Sequence, residues 1–388
     1  MVLGLLLAKR GVKTLVCESH PDFEREFRGE VLMPRFSQMM RQVGLLEFLE
    51  SKPHLKLQDV RMFHLGRLVA TFSFKRIAPE MPFALWMPQS VLLAALEEKA
   101  RTFPAFQIEF GAVVRDLVRE NGRITGAVVQ KEGKTQTIRA RVVVGADGRG
   151  STVRRMGGFQ NVVDEHDFDV IWFNAKKPAG HPDAVQGFFS TRHNYLILPK
   201  YPDLLQCGIL VPPGAYSDYV QKGIESIKEE LSEAHPVLAN FAKELKDFSP
   251  FSVLQARVSR AQEWAKDGCL LVGDSAHTCS PAGAVGVSVA VHSAMDAADV
   301  IVRALEKNDV SVKTLSWLQS RREADVIRIQ AIQKRVSRMV FPRNRFLSLV
   351  MPAVLAFLSR TSSFKGMQRR LFVLEKPLSI DPAFRFEK

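Results

Sequence analysis

The sequence predicts an α/β fold: a Rossmann-like nucleotide-binding domain built from separated segments, a β-sheet domain inserted into it, and helices at the C-terminus. Three stretches predict it. An apolar helix over Val2–Leu7 stops at Lys9-Arg10-Gly11, and a short run from Val12 to Cys17 then leads to Glu18. An apolar strand, Val142-Val143-Val144, enters Gly145-Ala146-Asp147-Gly148-Arg149 and then Ser151-Thr152-Val153-Arg154. A second strand, Leu270-Leu271-Val272, enters Gly273-Asp274-Ser275-Ala276-His277, a Pro/Gly loop from Pro281 to Gly286, and a helix through Leu305.

The first stretch is the second half of a dinucleotide-binding βαβ unit, in which the terminal acid hydrogen-bonds ribose hydroxyls. The strand and glycine-rich turn that should precede its helix are not in the sequence, and we read the start as truncated. Downstream, Phe36, Met39, Met40 and Val43 give Pro34–Leu49 a helical period. Strand-like runs follow at Leu57–Leu65 and Leu68–Phe74, then a helix over Gln89–Arg101. Gly111, Asn121-Gly122 and Glu132-Gly133 punctuate Phe106–Val144 as a β-meander. Phe168–Val211 is strand-rich, Tyr216–Leu245 helical, Val253–Arg257 and Cys269–Val272 strands, and the chain beyond Ala284 helical. Residues 1–75, 88–165 and 260–305 are therefore assigned to the nucleotide-binding domain, 166–259 to the β-rich domain and 306–388 to a helical C-terminal region. One parallel sheet should join Leu15, Val143 and Leu271.

Composition narrows the function. With 46% hydrophobic and 24% charged residues, the chain is neither disordered nor a membrane protein. The longest apolar run, Phe346–Leu358, is 13 residues, short of the ~18–20 of a spanning helix. Four cysteines without a CxxC exclude a disulfide framework and a zinc module, and fit a reducing, cytoplasmic setting. The histidines show no metal-ligand spacing, so no metal site is expected. From Ile301 onward 18 Lys/Arg face 7 Asp/Glu, which accounts for 11 of the net charge of +13. The basic character belongs to the C-terminus, and with no binding module it does not point to nucleic acid.

The two strand-end motifs carry the chemistry. Glycines allow close backbone approach, Asp147 and the adjacent amides can organise phosphates, and Asp274 offers a carboxylate to sugar-like hydroxyls. A helix opening at Gly286 presents a positive dipole to an electron-rich ring edge. A serine-hydrolase reading of Gly273-Asp274-Ser275 with His277 fails, because the block opens a C-terminal helix and shows no paired base and acid. His277 is read as a structural residue holding the loop, and Tyr195 as a packing residue. With Phe27-Arg28-Gly29-Glu30 and Met87-Pro88-Gln89 added, nearly the whole chain resembles the FAD-dependent monooxygenases of the p-hydroxybenzoate hydroxylase group.

That resemblance implies an FAD/NAD(P)-binding Rossmann-like domain and assigns roles. Glu18 would bind the adenosine ribose. Arg28 and Gln89 would lie along the ribityl-pyrophosphate, and the backbone at Val114 beside the adenine. Asp147 and Gly148 belong to the motif tied to both FAD and NAD(P)H use. Asp274 would bind ribityl or pyrophosphate oxygens, Gly283 and Gly286 would meet the isoalloxazine, and the Pro281 carbonyl would face it as the residue nearest the chemistry. The sequence departs from the family at Ala284, usually glycine, at Val285, usually glutamine, and at Ser293-Ala294, usually Asp-Ala. Ser288 stands where the family places an asparagine at the pyrimidine edge, and reaches less far.

The implied function is FAD- and NAD(P)H-dependent hydroxylation of an aromatic or apolar small molecule with O2, through a flavin C4a-hydroperoxide. An alternative in the same fold is a flavin dehydrogenase or reductase acting on an isoprenoid-like lipid. A reading of another class is a truncated, non-catalytic remnant with weak FAD binding. At the C-terminus, Arg321, Arg328, Arg335, Arg338 and Arg345 form a stripe that, with Phe346–Leu358, would suit peripheral contact with anionic lipid. The same segment could instead fold back on the FAD domain or form a homodimer contact.

Overall fold

The computed structural model describes residues 1–24, 30–164, 168–190, 194–340, 353–354 and 356–387. The N-terminal helix Val2–Lys9 has no polar face, and every residue from Val2 to Ala8 is buried. It packs against Gln89–Ala100 and the long helix Gly286–Glu306. Gly4 lets it lie close to the sheet, since a Cβ there would stand 3.0 Å from Val16 and 3.2 Å from Phe106. Gly11, at φ 73°, ends the turn and releases the strand Thr14–Glu18.

That strand pairs in parallel with Phe106–Phe110, from Thr14↔Phe106 to Glu18↔Phe110. Val143–Gly145 pairs in parallel with Cys269–Leu271. Both pairings shorten the expected meander, whose antiparallel part is Val113–Glu120, Arg123–Lys131 and Lys134–Arg139. Its two tight turns have positive φ at Asn121-Gly122 and Glu132-Gly133, the geometry that suits strand twist. The expected single sheet through Leu15, Val143 and Leu271 is not formed. Leu15 sits in one parallel pair, Val143 and Leu271 in another, and no described strand pairs between them. The facing edges instead border one central cavity.

The largest sheet has seven strands, in the order Ser252–Leu254, Asp169–Lys176, Leu204–Val211, Tyr195–Lys200, Ala184–Phe189, Asp59–His64, Arg67–Ser73. The hairpin 59–73, grouped by sequence with the nucleotide-binding segment, completes this sheet through the parallel pairing Ala184↔Asp59 to Phe189↔His64. Alternation sorts its faces. Ile171 and Phe173 pack with Leu205 and Cys207 against the helices Ile224–Ala234 and Pro236–Glu244. Trp172, Leu196 and Leu210 look the other way, into the cavity. Tyr195 is a packing residue, stacked on Phe188 at 4.7 Å with its hydroxyl donating to the Ala234 carbonyl.

The predicted helix over Pro34–Leu49 is split by Gly44, at φ 77°, into Pro34–Gln42 and Leu46–Glu50. A Cβ at Gly44 would lie 2.3 Å from the Phe386 carbonyl oxygen, so the last residues of the chain are seated on this break. Phe386 donates its N–H to the Val43 carbonyl, and Gln42 bonds both backbone groups of Leu378. Two C-terminal cations pair with acids earlier in the chain, Arg321–Asp299 and Lys334–Asp164; Arg328–Glu375 pairs within the C-terminal region, and Asp381 reaches back to Arg10. Residues 362–386 thus fold back on the core. Of the apolar segment Phe346–Leu358, residues 346–352 and 355 lie outside the described residues, as does Arg345. Among the described residues no helix is long and apolar enough to cross a membrane.

One buried cluster clamps three helices. Arg35, on Pro34–Gln42, and Arg322, on Trp317–Val340, both donate to Asp325, at 2.8 and 2.9 Å. Arg322 also bonds His292 of Gly286–Glu306 at 3.1 Å. Removing one partner of such a group strands buried charge, at a cost of about 3–5 kcal/mol. Asp325→Ala is expected to lose that much stability in chemical denaturation. A loss below about 1 kcal/mol would show that the two arginines find other acceptors.

Candidate active site

The site is assembled where strands end. The Val272 N–H donates to the Gly145 carbonyl at 2.9 Å, which brings the exits of the two glycine-aspartate motifs together. Gly145 has no room for a side chain: a Cβ would meet Leu271 at 2.7 Å and Val153 at 2.9 Å. Asp147 accepts from the Ser151 hydroxyl and from the Val153 N–H, while Ser151 Oγ accepts from the Arg154 N–H. The aspartate read as a phosphate organiser therefore caps the helix Thr152–Met156. Its consequence for the site is the shape of the turn, which holds Gly148 at φ 79° on the cavity wall. Arg154 closes the arrangement by donating to the Ser275 carbonyl at 2.8 Å and to the Arg149 carbonyl at 2.6 Å.

Ser275 is fully buried, and its hydroxyl donates to the Gly145 and Val272 carbonyls. It is a structural hydroxyl, which disposes of a hydrolase nucleophile. Asp274 stands at the cavity lip, 3.5 Å from Arg149. Beyond it the loop turns on Gly283 and Ala284, at φ 78° and 51°. Gln333 staples this loop to the C-terminal helix, donating to the carbonyls of Ser280 and Ala282 at 2.7 Å each and accepting the Ser280 N–H. The helix Gly286–Glu306 has no side-chain cap, and Gly286 and Val287 open onto the cavity.

One cavity gathers most of the predicted positions. Glu18, Gln89, Val114, Asp147, Gly148, Asp274, Pro281, Gly283 and Gly286 all line it. Ser288 does not: it is fully buried in its helix, and its hydroxyl has no partner. Arg28 lies outside the described residues. The sequence reading passed over Gln333, although a glutamine between Ile332 and Val336 on an apolar stripe was a signal. It quoted Glu30 only as part of a motif, although a carboxylate directly before the buried Val31-Leu32-Met33 was another.

The donor set fits a dinucleotide flavin. An acid ends the first strand, a second acid and glycine-bounded backbone stand at the neighbouring strand ends, and an uncapped helix start faces the same space. The FAD binding domain family matches residues 1–324. The chain belongs to this family. It is 31% identical over 382 residues to the 6-methylpretetramide 4-monooxygenase of Streptomyces rimosus, covering 98% of this chain and 91% of that protein. The para-nitrophenol 4-monooxygenase of Pseudomonas sp. (strain WBC-3) is 23% identical over 327 residues, 81% of this chain and 78% of the other. The solved structure of p-nitrophenol 4-monooxygenase PnpA from Pseudomonas putida DLL-E4 superposes with a TM-score of 0.80 at 17% identity, over 96% of this chain and 95% of that one. The protein is an FAD-dependent oxidoreductase of the monooxygenase type, with the α/β architecture of flavin monooxygenases.

Two histidines near the loop Pro281–Gly286 are buried and neutral. His277 packs on Trp264 and pairs with Ser293 at 2.8 Å. Burial, reinforced by the Arg322 charge, holds His277 down to about 3 and His292 down to about 2. The unfolded chain protonates these rings near 6.5, so between that pH and about 3 it binds more protons than the folded protein. Stability should fall continuously as pH drops below about 6.5. A urea midpoint that stays flat from pH 6.5 to 4 would refute the burial of neutral rings. Ala284→Gly removes left-handed strain of about 1–2 kcal/mol and adds about 0.5–1 kcal/mol of unfolded-state entropy. The expected result in thermal denaturation is a small gain in stability, and a loss would mean that the alanine methyl packs usefully.

Proposed function

We propose that the protein hydroxylates an aromatic small molecule with O2, using FAD and drawing its electrons from NAD(P)H. The observation that carries the reading is a single cavity with two unlike walls. On one side stand Glu18, Asp274, Gly148 and the open helix start at Gly286. On the other stand Trp172, Leu196 and Leu210 from the sheet, and Phe364, Met367 and Phe372 from the C-terminal helix. The first wall suits a phosphate- and sugar-bearing cofactor, the second a flat apolar substrate. Likeness to a 6-methylpretetramide 4-monooxygenase and to a para-nitrophenol 4-monooxygenase supports an organic small-molecule substrate.

FAD when bound supplies the redox chemistry, accepting the reducing equivalents and activating oxygen. The protein's own residues bind, orient and exclude water. Glu18 would hold the ribose hydroxyls, Gln89 the ribityl-pyrophosphate stretch, and Asp274 ribityl or pyrophosphate oxygens. The loop from Pro281 to Gly286 would present carbonyl and amide groups to the ring system, and Gln333 keeps that loop in place. The apolar sheet face and the C-terminal helix would keep water from the reacting centre.

The test is direct. The purified protein loaded with FAD should oxidise NADH or NADPH faster when a phenolic or fused-ring aromatic is present, and 18O from labelled O2 should appear in the product. Asp274→Ala should weaken FAD binding at least about tenfold, the loss expected for a hydrogen bond to a charged group. Oxygen consumption with no oxygenated product across an aromatic panel would sink the reading. Reduction of an isoprenoid lipid under the same conditions would favour a reductase instead, and failure to take up FAD would favour the remnant.

A further inference from the structure

We propose that the side-chain amide of Gln368 hydrogen-bonds an uncharged oxygen of the substrate, a carbonyl or hydroxyl, so that neutral oxygenated aromatics are selected over aromatic carboxylates; this deepens the hydroxylase reading and rests on it. The helix Ser362–Phe372 sorts its residues by face. Lys365, Arg369 and Arg370 are exposed, whereas Phe364, Met367, Gln368, Leu371 and Phe372 line the cavity at the spacing of one helical stripe. Gln368 is the polar member of that stripe and is only 8% exposed. Its amide is not sealed in as the Ser288 hydroxyl is, and no described residue hydrogen-bonds it. The exposure that it keeps therefore faces the cavity.

Position ties this amide to the reacting centre. Leu371, one turn further along the same face, stands 3.0 Å from where a Cβ of Gly283 would lie, in the loop expected at the flavin ring. The rise of the helix puts Gln368 about 4.5 Å along the axis from Leu371. The helix itself is fixed: Thr361 caps its start by accepting the Phe364 N–H at 3.3 Å, Phe364 packs on Phe72 at 5.7 Å and Phe372 on Phe74 at 6.3 Å. Charge sets the selectivity. Among the described residues, neither the seven-stranded sheet nor this helix brings a lysine or arginine to the cavity lining. Asp169, the acid that the sheet does bring, has both oxygens engaged by the N–H groups of Gly214 and Ala256. A carboxylate bound against this wall gives up its water with no counter-charge, the costliest exchange that an apolar site can ask. A carbonyl gives up little and accepts from the amide Nε2, and a hydroxyl donates to its Oε1. A bare hydrocarbon leaves the amide unpaired.

The experiment measures binding of 1-acetonaphthone, 1-ethylnaphthalene and 1-naphthoate to the FAD-loaded protein by equilibrium dialysis at neutral pH, where the naphthoate is ionised. Wild-type protein should bind the ketone and reject the naphthoate. Gln368→Met keeps the length of the side chain and removes the amide, so ketone affinity should fall about fivefold, as one neutral hydrogen bond gives, while ethylnaphthalene affinity holds or rises. Gln368→Lys supplies the missing cation and should raise naphthoate affinity about tenfold or more. Ketone affinity that is unchanged in Gln368→Met overturns the proposal, as does a loss shared equally by the ketone and the hydrocarbon, which is what a purely structural glutamine gives. A wild-type preference for naphthoate, or a Gln368→Lys protein that still rejects it, overturns the selectivity. If the ketone-specific loss holds while no naphthalene is oxygenated in turnover, the hydroxylase reading fails and the Gln368 contact stands.

Discussion

The parallel pairing of Val143–Gly145 with Cys269–Leu271 is the constraint on which the site depends. Its register, with Gly145 opposite Leu271, makes two motifs more than 120 residues apart leave the sheet side by side. The Gly145 carbonyl then receives both the Val272 N–H and the Ser275 hydroxyl, and the missing side chain at Gly145 admits Leu271 and Val153. Arg154 repeats the link from the other direction. A substitution that widened this junction would move Asp274 and Gly148 apart, because both follow directly on the paired strands.

Local chemistry made much of this legible. A helix with a glycine stop, a short strand ending in an acid, and two apolar strands running into Gly-Asp are patterns of neighbouring residues. They appear in the structure at Val2–Lys9, Thr14–Glu18, Val143–Gly145 and Cys269–Leu271. Of the pairing partners, the parallel partnership of the Val143 and Leu271 strands was expected, but others, being long-range, were not legible. The sequence of Phe106–Phe110 does not say that it lies beside Thr14–Glu18, and nothing within 59–73 says that this hairpin completes the sheet begun at Asp169. Side-chain duty was the hardest to read. Asp147 lines the cavity and also accepts from Ser151 and Val153 at the start of the next helix, while Ser288, expected at the flavin, is fully buried and does not line the cavity.

The charge count is incomplete for a related reason. Formal charge summed over the C-terminal residues describes an appendage, whereas charge in a fold is met across elements. Asp299 takes both Arg303 and Arg321, Asp164 takes Lys334, and Asp381 reaches back to Arg10. These pairs are mostly part-exposed and individually weak, so they orient the helices more than they hold them. Seating comes from apolar contact instead: Phe372 against Phe74, Phe364 against Phe72, and the chain end against Gly44.

The C-terminal fold-back therefore belongs to the site. Gly283, in the loop expected to meet the flavin ring, would place a Cβ 3.0 Å from Leu371, so the helix Ser362–Phe372 rests on that loop. Gln333 holds the same loop from the preceding helix, through three hydrogen bonds to its backbone. Two helices, Trp317–Val340 and Ser362–Phe372, thus fix the position of Pro281 to Gly286, while the strand-end acids Glu18 and Asp274 line the same cavity. The loop is short of glycine at Ala284 and must be held in a strained turn, and this double support is what holds it there. Precision at the expected ring site comes from the packing of the C-terminal region, which is why the activity of this chain should depend on residues that never touch the cofactor.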